Sequence, residues 1–267
     1  MCWRKQKRSQ NIIFIHRYPQ ITGIVLGVTY RCNAKCRHCS QADFRDEAYQ
    51  AQEMSVKEIG SLFTEFRKFK VKSVNLFGGE PLLRNDLVDI IKAGSSKGIE
   101  MSFETNAFLL NEINVLEFKK SGINKIIIGL DYAEALLQDD FKGVKGIWNK
   151  AIESIELCKQ YKIACHISVV AMKDSIENNR LRALFELARD MKVDEVRVMN
   201  PMQMGRWRHS ADEIFSRDEY RELKNLVSEY SDIACLNCHD KSNIIHCGPL
   251  KRISFFINAF GDVMPCC

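Results

Sequence analysis

Residues 21–39 read Ile21-Thr22-Gly23-Ile24-Val25-Leu26-Gly27-Val28-Thr29-Tyr30-Arg31-Cys32-Asn33-Ala34-Lys35-Cys36-Arg37-His38-Cys39. A strand-like apolar run ends, and a loop with three cysteines spaced C-x3-C-x2-C begins. A four-iron, four-sulfur cube usually takes one cysteine thiolate per iron. This loop supplies three, and the next cysteine along the chain, Cys158, lies in a helical pattern. One iron is therefore left open to a ligand from outside the protein. Structural zinc is the competing reading, but a closed zinc site wants four N/S ligands. The fourth would be His38, adjacent to Cys39 and aimed elsewhere, or a distant residue.

Outward from this loop, strand-like and helix-like segments alternate to about residue 230, the pattern of a parallel α/β sheet. Strands are expected at 22–29, 73–77, 99–104, 124–130, 164–171 and 194–199. Ser55-Val56-Lys57-Glu58 reads as a capping box, with Met54 and Ile59 placed as a hydrophobic staple. Ser216-Arg217-Asp218-Glu219 repeats the box, and Gly122 sits where a helix ends. Six β/α units are too few for a closed eight-stranded barrel and suit an open, six-unit one.

Ligands of parallel α/β folds bind beyond the C-terminal ends of the strands. Every unusual segment of this chain falls there. The cysteine loop follows strand one, Gly78-Gly79-Glu80-Pro81 strand two and Glu104-Thr105-Asn106 strand three. Strand four ends Gly129-Leu130-Asp131, and strand six runs into Asn200-Pro201-Met202. Gly78 and Gly79 leave room for close backbone approach, and Glu80 is an acceptor suited to an ammonium group.

These motifs resemble the radical S-adenosylmethionine (radical SAM) superfamily over nearly the whole chain. The resemblance implies a partial (β/α)6 barrel, a [4Fe–4S] cluster on Cys32, Cys36 and Cys39, and SAM chelating the open iron. Reductive cleavage of SAM then yields a 5′-deoxyadenosyl radical that abstracts hydrogen from a substrate, chemistry beyond ordinary side chains. Gly78-Gly79-Glu80 matches the family's GGE motif, which receives the methionyl amine of SAM. Thr105-Asn106 resembles its Thr-Asn-Gly segment, with Ala107 in the Gly position. Asp131 matches the Asp of a Ser-x-Asp strand end, but Gly129 stands where Ser is usual. Phe141-Lys142-Gly143 resembles a Phe-Arg-Gly segment whose Arg pairs with the SAM carboxylate; Lys142 keeps the charge without the planar fork. Ser168 has two readings, facing the ribose or filling the barrel. Met204-Gly205-Arg206 resembles a Gly-Arg element of members with C-terminal cluster domains.

Cysteines cluster again near the C-terminus, and a boundary is expected between a core at 21–231 and a cysteine-rich extension at 232–267. Cys247-x13-Gly261-x4-Cys266 resembles the opening of SPASM and twitch domains, which carry auxiliary iron–sulfur clusters, and Cys235-x2-Cys238 is expected to supply the remaining ligands. Residues 253–257 and 262–264 read as a hairpin returning Cys266 towards Cys247. The further cysteines of a full SPASM domain do not follow, so either a shortened, single-cluster domain or a truncated chain is expected, with structural zinc as the rival to an auxiliary cluster. Cys158 and Cys165 read as core.

The 267 residues are 46% hydrophobic and 27% charged, ordinary for a globular chain. The net charge of +5 belongs to residues 1–20, where Arg4, Lys5, Lys7, Arg8 and Arg17 meet no acid. Setting those five aside leaves 34 basic residues against 34 acidic ones. The segment suits a solvated basic terminus, and no nucleic-acid partner is expected. No apolar run approaches the ~18 residues of a membrane span. The N-terminus lacks a signal peptide's apolar core, so a cytoplasmic home is expected. The expected function is a radical SAM oxidoreductase or maturase acting on a peptide or protein, with an electron donor such as flavodoxin or ferredoxin. The alternatives are a small-molecule or tetrapyrrole substrate and, from another class, a non-catalytic metal-binding scaffold.

Overall fold

A computed structural model of the chain describes residues 21–44, 52–236 and 254–264. The basic segment 1–20 lies outside them, as do Cys238, Cys247 and Cys266. Six strands follow the chain in order: β1 (Gly23–Thr29), β2 (Ser73–Gly78), β3 (Glu100–Thr105), β4 (Ile123–Gly129), β5 (Ala164–Val170) and β6 (Glu195–Met199). Each pairs parallel with the next. The expected strands match within a residue or so at each end. Two further elements extend the edges. β7 (Ala234–Leu236) pairs parallel with β6, and β8 (Ser254–Ile257) pairs parallel with β1. β9 (Val263–Met264) pairs antiparallel with β8, forming the expected hairpin. The described residues beyond 231 thus extend the core sheet at its two edges.

The helices begin where their caps direct. Ser55 and Glu58 close a reciprocal box at the head of α1 (Val56–Lys68), with Ser55 N donating to the Glu58 carboxylate at 2.8 Å. α2 (Leu87–Ser95) precedes β3, and α3 (Glu112–Ser121) is boxed by Asn111 and Asn114. α3 stops at Gly122, whose φ of +89° is cheap only for glycine. α4 (Ala135–Lys142) and α5 (Ile147–Gln160) bridge β4 and β5. α6 (Lys173–Glu177) and α7 (Arg180–Asp190) lead to β6. α8 (Arg217–Glu229) starts on the expected Ser216–Glu219 box.

Alternation along the strands sorts two faces. Leu26, Leu76, Phe103, Ile126, Ile128, Ile167 and Val196 are fully buried in one core cluster shared with Ile59, Phe63, Ile90, Val115, Ile155 and Leu184 of the helices. The opposite face mixes polar and small residues, Asn75, Ser102, Glu104, Gly129, His166, Ser168, Glu195 and Arg197, with apolar ones such as Val25, Phe77 and Ile127. Members of all six strands from β1 to β6 (Val25, Phe77, Glu104, Gly129, Ser168, Arg197) line a single cavity, so the sheet curls around a lumen. Among the described residues no helix is long and apolar enough to cross a membrane.

This division predicts two different responses to losing an aromatic ring. Phe103 is 0% exposed and meets the edge of Phe118 at 5.0 Å between centroids. Phe103→Ala should cost about 3–5 kcal/mol in urea unfolding. Phe69, 64% exposed, should change stability by no more than about 0.5 kcal/mol when made Ala. Equal losses at both positions would contradict this assignment of the core.

Candidate active site

The cysteine loop leaves β1 at the C-terminal edge of the sheet and is held from several directions. Gly79 N donates to Thr29 O at 2.7 Å and Glu80 N to Arg31 O at 2.7 Å. The two glycines are required by this approach. A Cβ on Gly78 would lie 2.0 Å from Thr29 O, and one on Gly79 2.2 Å from Arg31 O. What presses on Gly78 and Gly79 is the root of the loop itself. On the opposite flank, Lys35 N donates to Lys142 O at 2.8 Å and Arg37 N to Phe141 O at 3.0 Å. Arg206 N donates to Cys39 O at 3.1 Å, and Gly205 has φ +53° with room for no Cβ.

Cys32, Cys36 and Cys39 border one cavity of about 380 Å³. It is also lined by Gly78, Gly79, Thr105, Asn106, Lys142 and Ser168, so most of the expected site residues are brought together. Ser168 lines the lumen beside Gly129, its neighbour in the sheet.

Two expected residues lie behind the wall. Glu80 is 0% exposed and does not border the cavity. Its carboxylate accepts from Thr105 Oγ1 at 2.7 Å, Asn106 N at 2.8 Å and Leu82 N at 3.1 Å. Burial raises its pKa to about 7, outweighing those three hydrogen bonds and the Lys142 charge. Asp131 is likewise buried. One oxygen accepts from Val170 N at 3.0 Å, and the other meets Lys142 Nζ at 2.7 Å. Desolvation opposes its ionisation, but Lys142 and His38 prevail and hold the carboxyl below its usual range. Lys142 loses solvation too, yet Asp131, Cys36 and Cys32 together raise its pKa, so it carries its charge beneath the cysteine loop. A Cβ on Gly129 would meet Lys142 Nζ at 3.4 Å, an ordinary contact, so the ammonium lies directly over the glycine.

Asn106 Nδ2 donates to Asn33 Oδ1 at 2.8 Å, tying the third strand's end to the loop. Ala107, in the position the family gives to Gly, has φ +66°, which explains the usual glycine there. His38 joins the cavity wall with its ring stacked on Phe141 at 4.9 Å and 12°. Burial lowers its pKa to about 4, so it is neutral near pH 7. Trp207 completes that wall. Deeper in, Arg197 and Glu104 form an ion pair at the floor. Sequence reasoning passed over His38, Trp207 and Arg197 as site residues, although the alternating polar positions of the strands carried the signal for Arg197.

The three thiols border one cavity and offer one thiolate to each of three irons, the donor set of a cube, whereas a closed zinc site takes four N/S ligands. The buried Lys142 ammonium beside Cys32 and Cys36 favours their thiolate form. Cys235, the described member of the C-terminal group, is buried in β7 away from this loop, with its thiol hydrogen-bonded to Glu195. The expected second cluster therefore rests on cysteine spacing alone.

Residues 26–187 match the pattern described as the Radical SAM superfamily. The chain belongs to the radical SAM superfamily. It is 25% identical over 212 residues to an AdoMet-dependent heme synthase of Oleidesulfovibrio alaskensis, covering 79% of this chain and 54% of the relative. It is 30% identical over 247 residues to a GTP 3′,8-cyclase of Clostridium perfringens, covering 91% of this chain and 74% of that one. Among solved structures, Streptococcus suis SuiB bound to S-adenosylmethionine superposes with TM-score 0.75 at 20% identity, covering 92% of this chain and 60% of SuiB. SuiB bound to its precursor peptide SuiA gives 0.74 at 19% identity, with the same coverage. The chain spans about half the length of the heme synthase, and the SuiB likeness is one of fold.

The buried Glu80 yields a signed pH prediction. With its folded pKa near 7 and an ordinary value of 4.5, its neutral form is favoured by folding. Stability from this group is full below pH 4.5 and is lost as pH rises through about 7, by about 3 kcal/mol in all. Urea unfolding from pH 4.5 to 8 should fall less steeply for Glu80→Gln than for the wild type. Parallel profiles would show that Glu80 ionises as freely in the fold as out of it.

Proposed function

We propose that this chain binds a [4Fe–4S] cluster and SAM, cleaves SAM reductively, and abstracts hydrogen from a peptide or protein substrate. The observation that carries the reading is the three-cysteine loop held over a cavity in the lumen of a superfamily barrel. Cys32, Cys36 and Cys39 would hold three irons and leave the fourth open. When bound, the reduced cluster supplies one electron to SAM, which opens to methionine and a 5′-deoxyadenosyl radical. Lys142, charged and fixed by Asp131, is suited to a carboxylate; its ammonium is a point charge where the family's Arg is a fork. The Gly78–Gly79 edge offers backbone atoms to an amino group. Glu80 acts behind them by fixing Thr105 and Asn106. Ser168, beside the vacant Gly129 position, offers the hydroxyl nearest in the sheet to the one the family expects there. The apolar packing of Trp207, Phe141 and His38 excludes water from that side.

The peptide assignment is supported by the fold it shares with SuiB, solved with its precursor peptide. A second reading, a tetrapyrrole or other small molecule, is favoured by the heme synthase and GTP 3′,8-cyclase relatives. An electron donor such as flavodoxin or ferredoxin would deliver the electron.

Anaerobically reconstituted, dithionite-reduced protein should convert SAM to 5′-deoxyadenosine and methionine, read by chromatography. The variant with Cys32, Cys36 and Cys39 all changed to Ala should give none and should lose about four irons per chain. Fully reconstituted protein that yields no 5′-deoxyadenosine would leave the non-catalytic scaffold as the better account.

A further inference from the structure

The lumen below the cysteine loop holds a charge pair that the SAM-binding motifs do not use. Arg197 stands in the same row as Ser168 and Gly129, while Glu104 lies on β3 one row deeper, level with Ile127. The guanidinium therefore reaches across β4 and β5 to meet the Glu104 carboxylate, and the small residues at 129 and 168 leave that crossing open. Asn75 Nδ2 donates to Glu104 Oε1 at 2.9 Å, and Ser102 Oγ donates to Asn75 Oδ1 at 3.0 Å, so the carboxylate is braced from below.

Both side chains line the cavity, and they are 19% and 16% exposed. A pair kept for stability gains little by such a position, since an apolar pair of similar volume commonly serves as well or better. A pair facing an open cavity presents chemistry to whatever enters it. Its charges already balance each other. A bare carboxylate or phosphate arriving at Arg197 would face the Glu104 charge, and an ammonium arriving at Glu104 would face Arg197. An extended peptide residue presents its own N–H and C=O on one edge and meets both at once: its C=O takes a guanidinium N–H and its N–H gives to the carboxylate.

We propose that Arg197 and Glu104 form a substrate-recognition site on the cavity floor that binds the N–H and C=O edge of one extended peptide residue. This rests on the reading of the chain as a SAM-cleaving enzyme with a peptide substrate and names the contact that selects it. Asn75 acts as a positioning residue, through Glu104.

The site can be tested without knowing the natural substrate, because hydrogen taken from a bound molecule is recorded in 5′-deoxyadenosine. The reduced, SAM-loaded protein is supplied in turn with N-acetylalanine methylamide, propionate and ribose 5-phosphate, each carrying deuterium on carbon. Mass spectrometry then gives the deuterium label per 5′-deoxyadenosine formed. The amide should label the product, and propionate and ribose 5-phosphate should label it far less. Arg197→Met should lower labelling from the amide by about tenfold or more, the loss of a charge-assisted hydrogen bond. Glu104→Gln should do the same and also raise labelling from propionate, because Arg197 is then no longer balanced. That inversion of preference is not a consequence of mere loosening of the fold.

The proposal is overturned if propionate or ribose 5-phosphate labels the wild type as well as the amide does. It is overturned equally if the amide gives no label while 5′-deoxyadenosine is made, or if both variants label like the wild type. If no 5′-deoxyadenosine forms at all, it is the underlying reading of the chain that has failed. Circular dichroism of each variant identifies any that does not fold. Should Arg197→Met be one of these, Glu104→Gln, nearly isosteric with the wild type, decides through the inversion.

Discussion

The seating of one short loop by backbone hydrogen bonds is the constraint on which the site depends. Residues 32–39 contain no regular secondary structure of their own, so their amides and carbonyls must be satisfied by neighbours. Gly79 and Glu80 supply donors to the carbonyls at the loop's root, Phe141 and Lys142 supply acceptors along its middle, and Arg206 supplies a donor at Cys39. The contacts are made just past β2, at the end of α4 and in the turn after β6, and each lies close to a glycine. Gly143 has φ +65° and would place a Cβ 3.2 Å from the Lys35 side chain. The glycines at 78, 79, 143 and 205 therefore serve the approach of backbone to backbone, and the three cysteines inherit their relative positions from it.

Charge is organised around the same loop. The Lys142–Asp131 pair is almost fully buried, 6% and 1% exposed, and such a pair contributes little net stability by itself. Its effect is to hold a permanent positive charge next to Cys32 and Cys36, where thiolates are to be stabilised. The absence of a side chain at Gly129 belongs to the same arrangement. A departure from the family pattern at 129 thus sits against another at 142, glycine for serine beside lysine for arginine.

Much of this was legible in the sequence because local signals agreed with the global pattern. The strand ends, the boxes at Ser55 and Ser216, and the stop at Gly122 depend on residues close together in the chain. The gathering of motifs on one sheet edge followed from topology alone. Other features depended on direction, which spacing does not give. Glu80 reads as a ligand-facing acid, yet its side chain turns back to Thr105 and Asn106. Arg197 and Glu104 are 93 residues apart, and only the curl of the sheet makes them partners. Their alternation with apolar neighbours was visible, and in a parallel sheet covered on both faces those positions would be apolar too. Polar residues at Asn75, Ser102, Glu104, His166 and Arg197 are the signature of a lumen. The attachment of β7 and β8 to opposite edges was hidden because cysteine clustering and the loss of helical period suggested a separate unit.

The central claim is that three thiolates of one loop hold a cluster whose remaining iron is open to SAM. Mössbauer spectroscopy of protein reconstituted with 57Fe tests it most directly, recorded with and without SAM. The account predicts a [4Fe–4S] spectrum in which one iron in four changes its parameters when SAM is added, the other three remaining as they were. A spectrum unchanged by SAM, or one in which all irons have equivalent thiolate ligation, would contradict it.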